Sequence, residues 1–207
     1  MPIYRFPFIS VKLFITILLI IASTKAISQP KDNLSVFYSL IDSSVTQLLN
    51  SMPAGKDEIP LKTNLPGIYS AFENPVLSSI KNHNKKIIIP FDTNKQIIKY
   101  SIDEARTSYP ETFRENIFGS LQVQRIISLK GSYSIFNNGN LLTVNSFSFI
   151  NSDTVDYNQL NNLETQNLPF TQGAKPTEPL FSGFWEPLIA LGTAAAVVYL
   201  FFKVRSK

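Results

Sequence analysis

Apolar residues Leu34, Phe37, Tyr38, Ile41, Val45, Leu48 and Leu49 fall on one helical face. The spacing predicts a helix opened by Asp32 or Asn33 and stopped by Pro53 and Gly55. Residues 59–63 read as a short strand, and Pro66 with Gly67 as a turn. Asn74 and Pro75 read as the cap and first position of a second, short helix carrying Val76, Leu77 and Ile80. Ile87, Ile88 and Ile89 read as a strand buried on both faces, with Pro90 ending it or marking an edge. Ile98, Tyr100 and Ile102 then alternate with Lys99, Ser101 and Asp103, the pattern of a half-buried strand.

The clearest alternation runs from Leu121 to Ile150. Val123, Ile127, Leu129, Tyr133 and Ile135 share one face, with Gln and Ser on the other. Asn138 and Gly139 both tolerate the positive φ of a type I′ turn, so they predict a two-residue hairpin loop. That loop pairs Phe136 with Leu141, Ile135 with Leu142, Tyr133 with Val144 and Ile127 with Ile150. It places Leu142 and Val144 inside, and Phe136, Leu141, Phe147 and Phe149 on the second face under internal cover. Gly131 then opposes Ser146 and leaves a low spot that a helix could approach. A short helix is expected between Tyr157 and Gln166.

The ends carry a different pattern. Arg5 and Lys12 precede an apolar run from Leu13 to Ala22, and Ala26, Ile27 and Ser28 fit a small-x-small cleavage site. Residues 1–28 are therefore expected to be a signal peptide, with an uncleaved N-terminal anchor as the rival. Residues 187–202 carry no charged side chain. Counted with Phe184 and Trp185, they read as a transmembrane helix over 184–203 with a cytoplasmic basic tail over 204–207. The anchor is assigned to Trp185, Pro187, Gly192, Ala196, Tyr199, Lys203 and Arg205. Gly192 and Ala196 form a small-xxx-small pair that allows weak homo-association within a membrane. Between the ends lie an extracytoplasmic domain, 29–167, and a Pro-rich linker, 168–183.

Charge follows this division. Of 19 basic and 15 acidic residues, 13 and 14 lie between residues 29 and 183, a net charge of −1. The basic excess sits at the ends, which argues against a nucleic-acid partner. There is no cysteine, hence no disulfide, thiolate ligand or lipid-bearing cysteine. His83 is the one histidine and reads as a solvated loop residue, so neither a zinc site nor a Ser-His-acid triad is expected. Asp103 and Glu104, adjacent on a strand, are expected on opposite faces. Asn33, Leu34 and Ser35 form a single sequon of little weight.

Together these elements predict an α+β fold. Two N-terminal helices pack on a mostly antiparallel sheet of four or more strands, and a C-terminal transmembrane helix follows. The order of elements over residues 34–150 resembles small α+β modules of bacterial cell-envelope assembly proteins, such as the lipoprotein that helps assemble lipopolysaccharide. The lipidated cysteine of those proteins is absent, and no site residues carry over. The expected role is a non-enzymatic binding or scaffolding component of the envelope, with no cofactor. The bilayer and another envelope protein are the expected partners. The expected location is a single pass through the bacterial inner membrane, with the domain periplasmic and the C-terminus cytoplasmic. An apolar-ligand (lipid) carrier and an envelope hydrolase are the rival readings.

Overall fold

The computed structural model describes residues 29–53, 57–65, 67–89, 96–114, 119–177 and 185–205. The expected signal peptide, 1–28, and the last two residues lie outside them. The chain forms two units, Met1–Pro30 and Lys31–Lys207, and the second contains every element described below.

Helix α1, Asn33–Asn50, starts where Asp32 accepts the Ser35 N–H at 2.6 Å, an N-cap that satisfies a donor the helix leaves unpaired. It buries Val36, Phe37, Leu40, Ile41, Val45 and Leu48, while Tyr38 is exposed. The expected stripe thus faces the core except for Tyr38, with Leu34 and Leu49 partly buried against it and Val36 and Leu40 added. Strand β1, Glu58–Asn64, follows. A 3₁₀ turn, Gly67–Phe72, then leads into α2, Glu73–Asn82. Next come β2, Lys86–Ile88; β3, Ile97–Ser108; β4, Thr112–Phe113; β5, Gln122–Asn137; and β6, Asn140–Asp156. A 3₁₀ turn, Tyr157–Gln159, runs into the one-turn helix α3, Leu160–Leu163. Another 3₁₀ turn, Pro169–Thr171, precedes α4, Trp185–Arg205.

The six strands form one mixed sheet. β1 pairs in parallel with both β2 and β3, and the remaining pairings are antiparallel. β3 and β4 meet β5 at residues 126–136 and 122–123 respectively, whereas β6 runs beside β5 from Gln122 to Asn137. β6 therefore lies along the opposite side of β5 and, among the described residues, pairs with β5 alone. α1 and α2 cover one face of the sheet, closing a core that includes Phe37, Ile41, Leu48, Phe72, Ile80, Ile98, Tyr100 and Leu129.

The chain is α+β, but its layout differs from the expected one in three respects. The helices are not stacked at the N-terminus, because β1 separates α1 from α2. The sheet is mixed, because the α2 crossover returns the chain parallel to β1. The transmembrane assignment does not hold: among the described residues no helix is long and apolar enough to cross a membrane. The uncharged stretch of α4, 187–202, spans about 24 Å at ~1.5 Å per residue, short of the ~30 Å hydrocarbon core. Glu186, Lys203 and Arg205 bound it within the same helix.

Three smaller expectations also change. β2 is a half-exposed edge rather than a doubly buried strand, and Ile89 beyond it is exposed. Packing continues past residue 167: Phe170 is buried, with its ring centroid 4.5 Å from that of Phe72 and 5.3 Å from that of Phe37. The β5–β6 hairpin does turn at Asn138 (φ 49°) and Gly139 (φ 76°), and Phe136 faces Leu141 as expected. A register shift between Ile135 and Phe136 then moves every later pair by one residue. Ile135 faces Thr143, Gly131 faces Phe147, and Ser128 faces Ile150.

That shift exchanges the faces of β6. Phe147 turns inward and is buried, its ring stacked on Tyr100 at 5.4 Å. Leu142, Val144 and Ile150, the first two expected inside, are left exposed. The low spot at Gly131 is filled by the Phe147 ring rather than by a helix. A Cβ on Gly131 would lie 2.5 Å from Phe147 Cζ and 2.3 Å from Ser101 O. The shifted register exchanges Leu142 and Val144 for larger aromatic area in the core.

Candidate functional site

Three places bring chemically capable groups together. The first lies between α1 and α2, beside a groove of about 630 Å³ lined by Tyr38, Asp42, Asn74 and Asn82 among others. Ser79 Oγ donates to Asp42 Oδ1 at 2.6 Å. His83 is half-buried at the end of α2, not in a solvated loop. Its Nδ1 lies 2.9 Å from Ser79 O, an acceptor, so Nδ1 carries the hydrogen. Its Nε2 lies 3.2 Å from Thr46 Oγ1, which also donates to Asp42 O at 2.8 Å. Serine, histidine and acid are therefore neighbours without forming a relay. The serine hydroxyl bonds the acid directly, and the imidazole bonds the serine's carbonyl. These bonds tie α2 to α1.

The second is a buried polar cluster at the far end of the sheet from the hairpin. Arg125, on the core-facing side of β5, is fully buried. Its Nε and Nη2 donate to Asp153 Oδ1 and Oδ2 at 2.8 and 2.5 Å. Nη1 donates to Lys31 O at 2.7 Å and to Asn33 Oδ1 at 2.8 Å. Asn33 Nδ2 in turn donates to Tyr109 OH at 2.8 Å and to Thr171 O at 2.7 Å. The sequon at Asn33 is thus closed to glycosylation, because its nitrogen is buried and engaged. Burial pushes the Tyr109 hydroxyl up to about 12; the hydrogen bond from Asn33 opposes this and the negative charge of Glu164 adds to it. Glu164 also accepts the Gly173 N–H at 3.0 Å. Among the described residues no buried side-chain polar atom lacks a partner. The cluster joins the start of α1, the end of β3, β5, β6 and residues 164–173, and its chemistry is consumed in doing so.

Nothing in the sequence patterns singled out Arg125, although a signal existed. It occupies an apolar-parity position of β5, which asks for a buried counter-charge. With the unshifted hairpin it faces Ser152; only the shifted register brings it opposite Asp153.

Two further polar groups are structural. Burial pushes the Tyr100 hydroxyl well above its ordinary range, opposed by its 2.6 Å hydrogen bond with Ser44. Asp103 and Glu104 both lie on the open side of the sheet, because the register shifts between Ile102 and Glu104. Lys130 bonds Glu104 at 2.8 Å; this hydrogen bond and the lysine's charge hold the carboxyl below its usual range. Among the described residues no group of three or more His, Asp or Glu could hold a metal ion.

The third place is the outer surface of β6. Leu141, Leu142, Val144 and Ile150 are 54, 61, 56 and 65% exposed. Residues 140–152 contain no charge, proline or glycine. Beyond β6, the Tyr157 N–H donates to Leu121 O at 2.9 Å, so odd-numbered residues from 143 on turn their backbone groups toward β5. Even-numbered residues turn theirs outward. One of these, the Ser146 carbonyl, accepts Gln47 Nε2 at 3.3 Å. Edges of this length are normally blunted by charge, proline or cover, since they template strand pairing. The outer surface of β6 is chemically suited to bind an extended, uncharged segment.

The residues assigned to an anchor all lie on α4. Trp185 and Arg205 are its first and last residues. Pro187, Gly192, Ala196, Tyr199 and Lys203 are exposed, as is every residue from 187 to 203. Lys203 Nζ sits 5.7 Å from the centre of the Tyr199 ring.

No protein-family model matches the chain, and no curated protein matches it. Among solved structures, a minor lipoprotein from Acinetobacter baumannii matches at 12% identity and a TM-score of 0.31, covering 51% of this chain and 69% of that one. The rare lipoprotein B of Shewanella oneidensis matches at 10% identity and a TM-score of 0.30, covering 69% of this chain and 98% of that one. Both of those proteins are named as lipoproteins. Likeness at this level carries neither a fold nor a function to this chain.

Proposed function

We propose that the protein is a non-enzymatic binding or scaffolding component of the cell envelope, exported and membrane-associated, with β6 as its docking edge. The carrying observation is the uncharged edge, without a second strand partner among the described residues, with Leu142, Val144 and Ile150 exposed beside it. Recognition by strand addition draws affinity from main-chain hydrogen bonds and selectivity from alternate side chains, and β6 offers both. The near-neutral charge between residues 29 and 183 suits a protein partner rather than nucleic acid. The leader-like pattern of residues 1–28 supports export.

The test is co-purification from cells producing the full chain, as wild type and as the Val144→Lys, Ile150→Lys double variant. Both side chains are exposed, so the variant should fold with unchanged stability. It should also lose a bound protein that the wild type retains, by about tenfold or more if the edge is central to binding. Identical partners, in identical yield, from both chains would remove β6 as the docking surface.

A further inference from the structure

On the reading that β6 is a docking edge, we propose that its occupant is a second copy of this chain. The two β6 strands would pair antiparallel about a two-fold axis at Phe147.

Geometry restricts the register. Outward-facing backbone groups belong to even-numbered residues, so the added strand must bring its own outward-facing groups to those positions. A copy of β6 does so whenever the axis passes through a residue rather than between two. With the axis at Phe147, Val144 faces Ile150 of the copy, and Ser146 faces Ser148. The two exposed apolar side chains that lie beyond the hairpin's register shift therefore meet each other twice, with small serines between them. Such cross-strand apolar pairs are the unit of sheet stabilisation.

Charge agrees with a self-partner. Like charges facing one another are what ordinarily forbid a strand from pairing with its own copy. Residues 140–152 carry none, and Asp153 would face Leu141 of the copy rather than another carboxylate. A cationic peptide, by contrast, would find no carboxylate along that stretch. The pairing is isologous, so it closes at two copies and leaves no further β6 edge to extend it. Among the described residues, Gln47 stands in the way. Its bond to Ser146 O, at 3.3 Å and on the exposed side, must yield to the incoming strand.

The wild-type chain has no cysteine, so single cysteines report pairing without background. Full-length Val144→Cys and Ile150→Cys chains are mixed under mild oxidation. The matched pair falls within disulfide reach, whereas identical residues lie far apart along the strands, so the mixed disulfide should exceed either self-disulfide about tenfold. Sedimentation of the wild-type full chain should show a concentration-dependent dimer, and the Val144→Lys, Ile150→Lys chain should be monomeric. A monomeric wild type without the mixed disulfide overturns self-pairing, as do self-disulfides equal to the mixed one. Co-purification separates this from failure of the docking edge itself. If the lysine variant then still loses a different protein, the edge stands and only the second copy falls. If it loses nothing, both fall.

Discussion

Replacing Asp153 or Arg125 breaks the same ion pair with unequal consequences. Arg125 is fully buried, whereas the Asp153 side chain is 39% exposed. Asp153→Ala strands a buried guanidinium that water cannot reach, and should cost about 3–5 kcal/mol. Arg125→Met keeps most of the volume and leaves an aspartate that can rehydrate, so about 1–3 kcal/mol is expected, from the lost partners of Lys31 O and Asn33. Denaturant unfolding of the two variants should rank them in that order. Tyr109, in the same cluster, gives an alkaline signature. Its folded pKa of about 12 lies above the unfolded value, so its contribution is complete below pH ~10 and is lost as pH rises from there through about 12. Tyr109→Phe should flatten that part of the stability-versus-pH curve. Gly131→Ala meets the Ser101 carbonyl, which cannot rotate aside, and should destabilise by about 1–3 kcal/mol or more. Shortening Phe147 should not rescue it, because the backbone contact remains.

The β5–β6 hairpin shows at the element scale what could be read from the chain and what could not. Its strands, its Asn138-Gly139 turn and its first pair, Phe136 with Leu141, follow from alternation and turn chemistry. The shift beyond them does not, because alternation has a period of two and says nothing about an extra residue. Its causes are long-range: the Phe147 ring over Gly131 and Tyr100, and Asp153 opposite Arg125. The exposed apolar row of β6 was hidden for the same reason, since a one-residue difference decides whether Val144 faces the core or solvent. α1 was legible because helical periodicity is local; the parallel pairing of β1 was not, because it depends on how the α2 crossover returns. The shifted register makes a direct prediction. Val144→Lys and Ile150→Lys should each change stability by no more than about 0.5 kcal/mol. Phe147→Ala should cost about 3–5 kcal/mol. The unshifted hairpin puts Val144 in the core, where a lysine would cost several times as much as at the surface, and thermal unfolding of Val144→Lys distinguishes the two.

At the scale of the whole molecule, helices seal one face of the sheet while the outer edge of β6 stays without a strand partner among the described residues. The Arg125 cluster binds Lys31 and Asn33 to Thr171, so the chain's entry to the domain and its exit are fixed at the same end. Phe170 closes that end against Phe37 and Phe72; Phe170→Ala should cost about 3–5 kcal/mol in denaturant unfolding. The same construction leaves β6 without a second strand partner among the described residues, its one outward bond described above being that of Ser146 O with Gln47, and puts Leu142, Val144 and Ile150 outside. A photo-crosslinking residue placed singly at Val144, Ile150, Ser78 or Lys81 of the full chain, in living cells, tests this most directly. Adducts at Val144 and Ile150 several-fold above those at Ser78 and Lys81 are the predicted result, as expected where binding concentrates in one patch. Adducts equal at all four positions, or confined to α2, would contradict it.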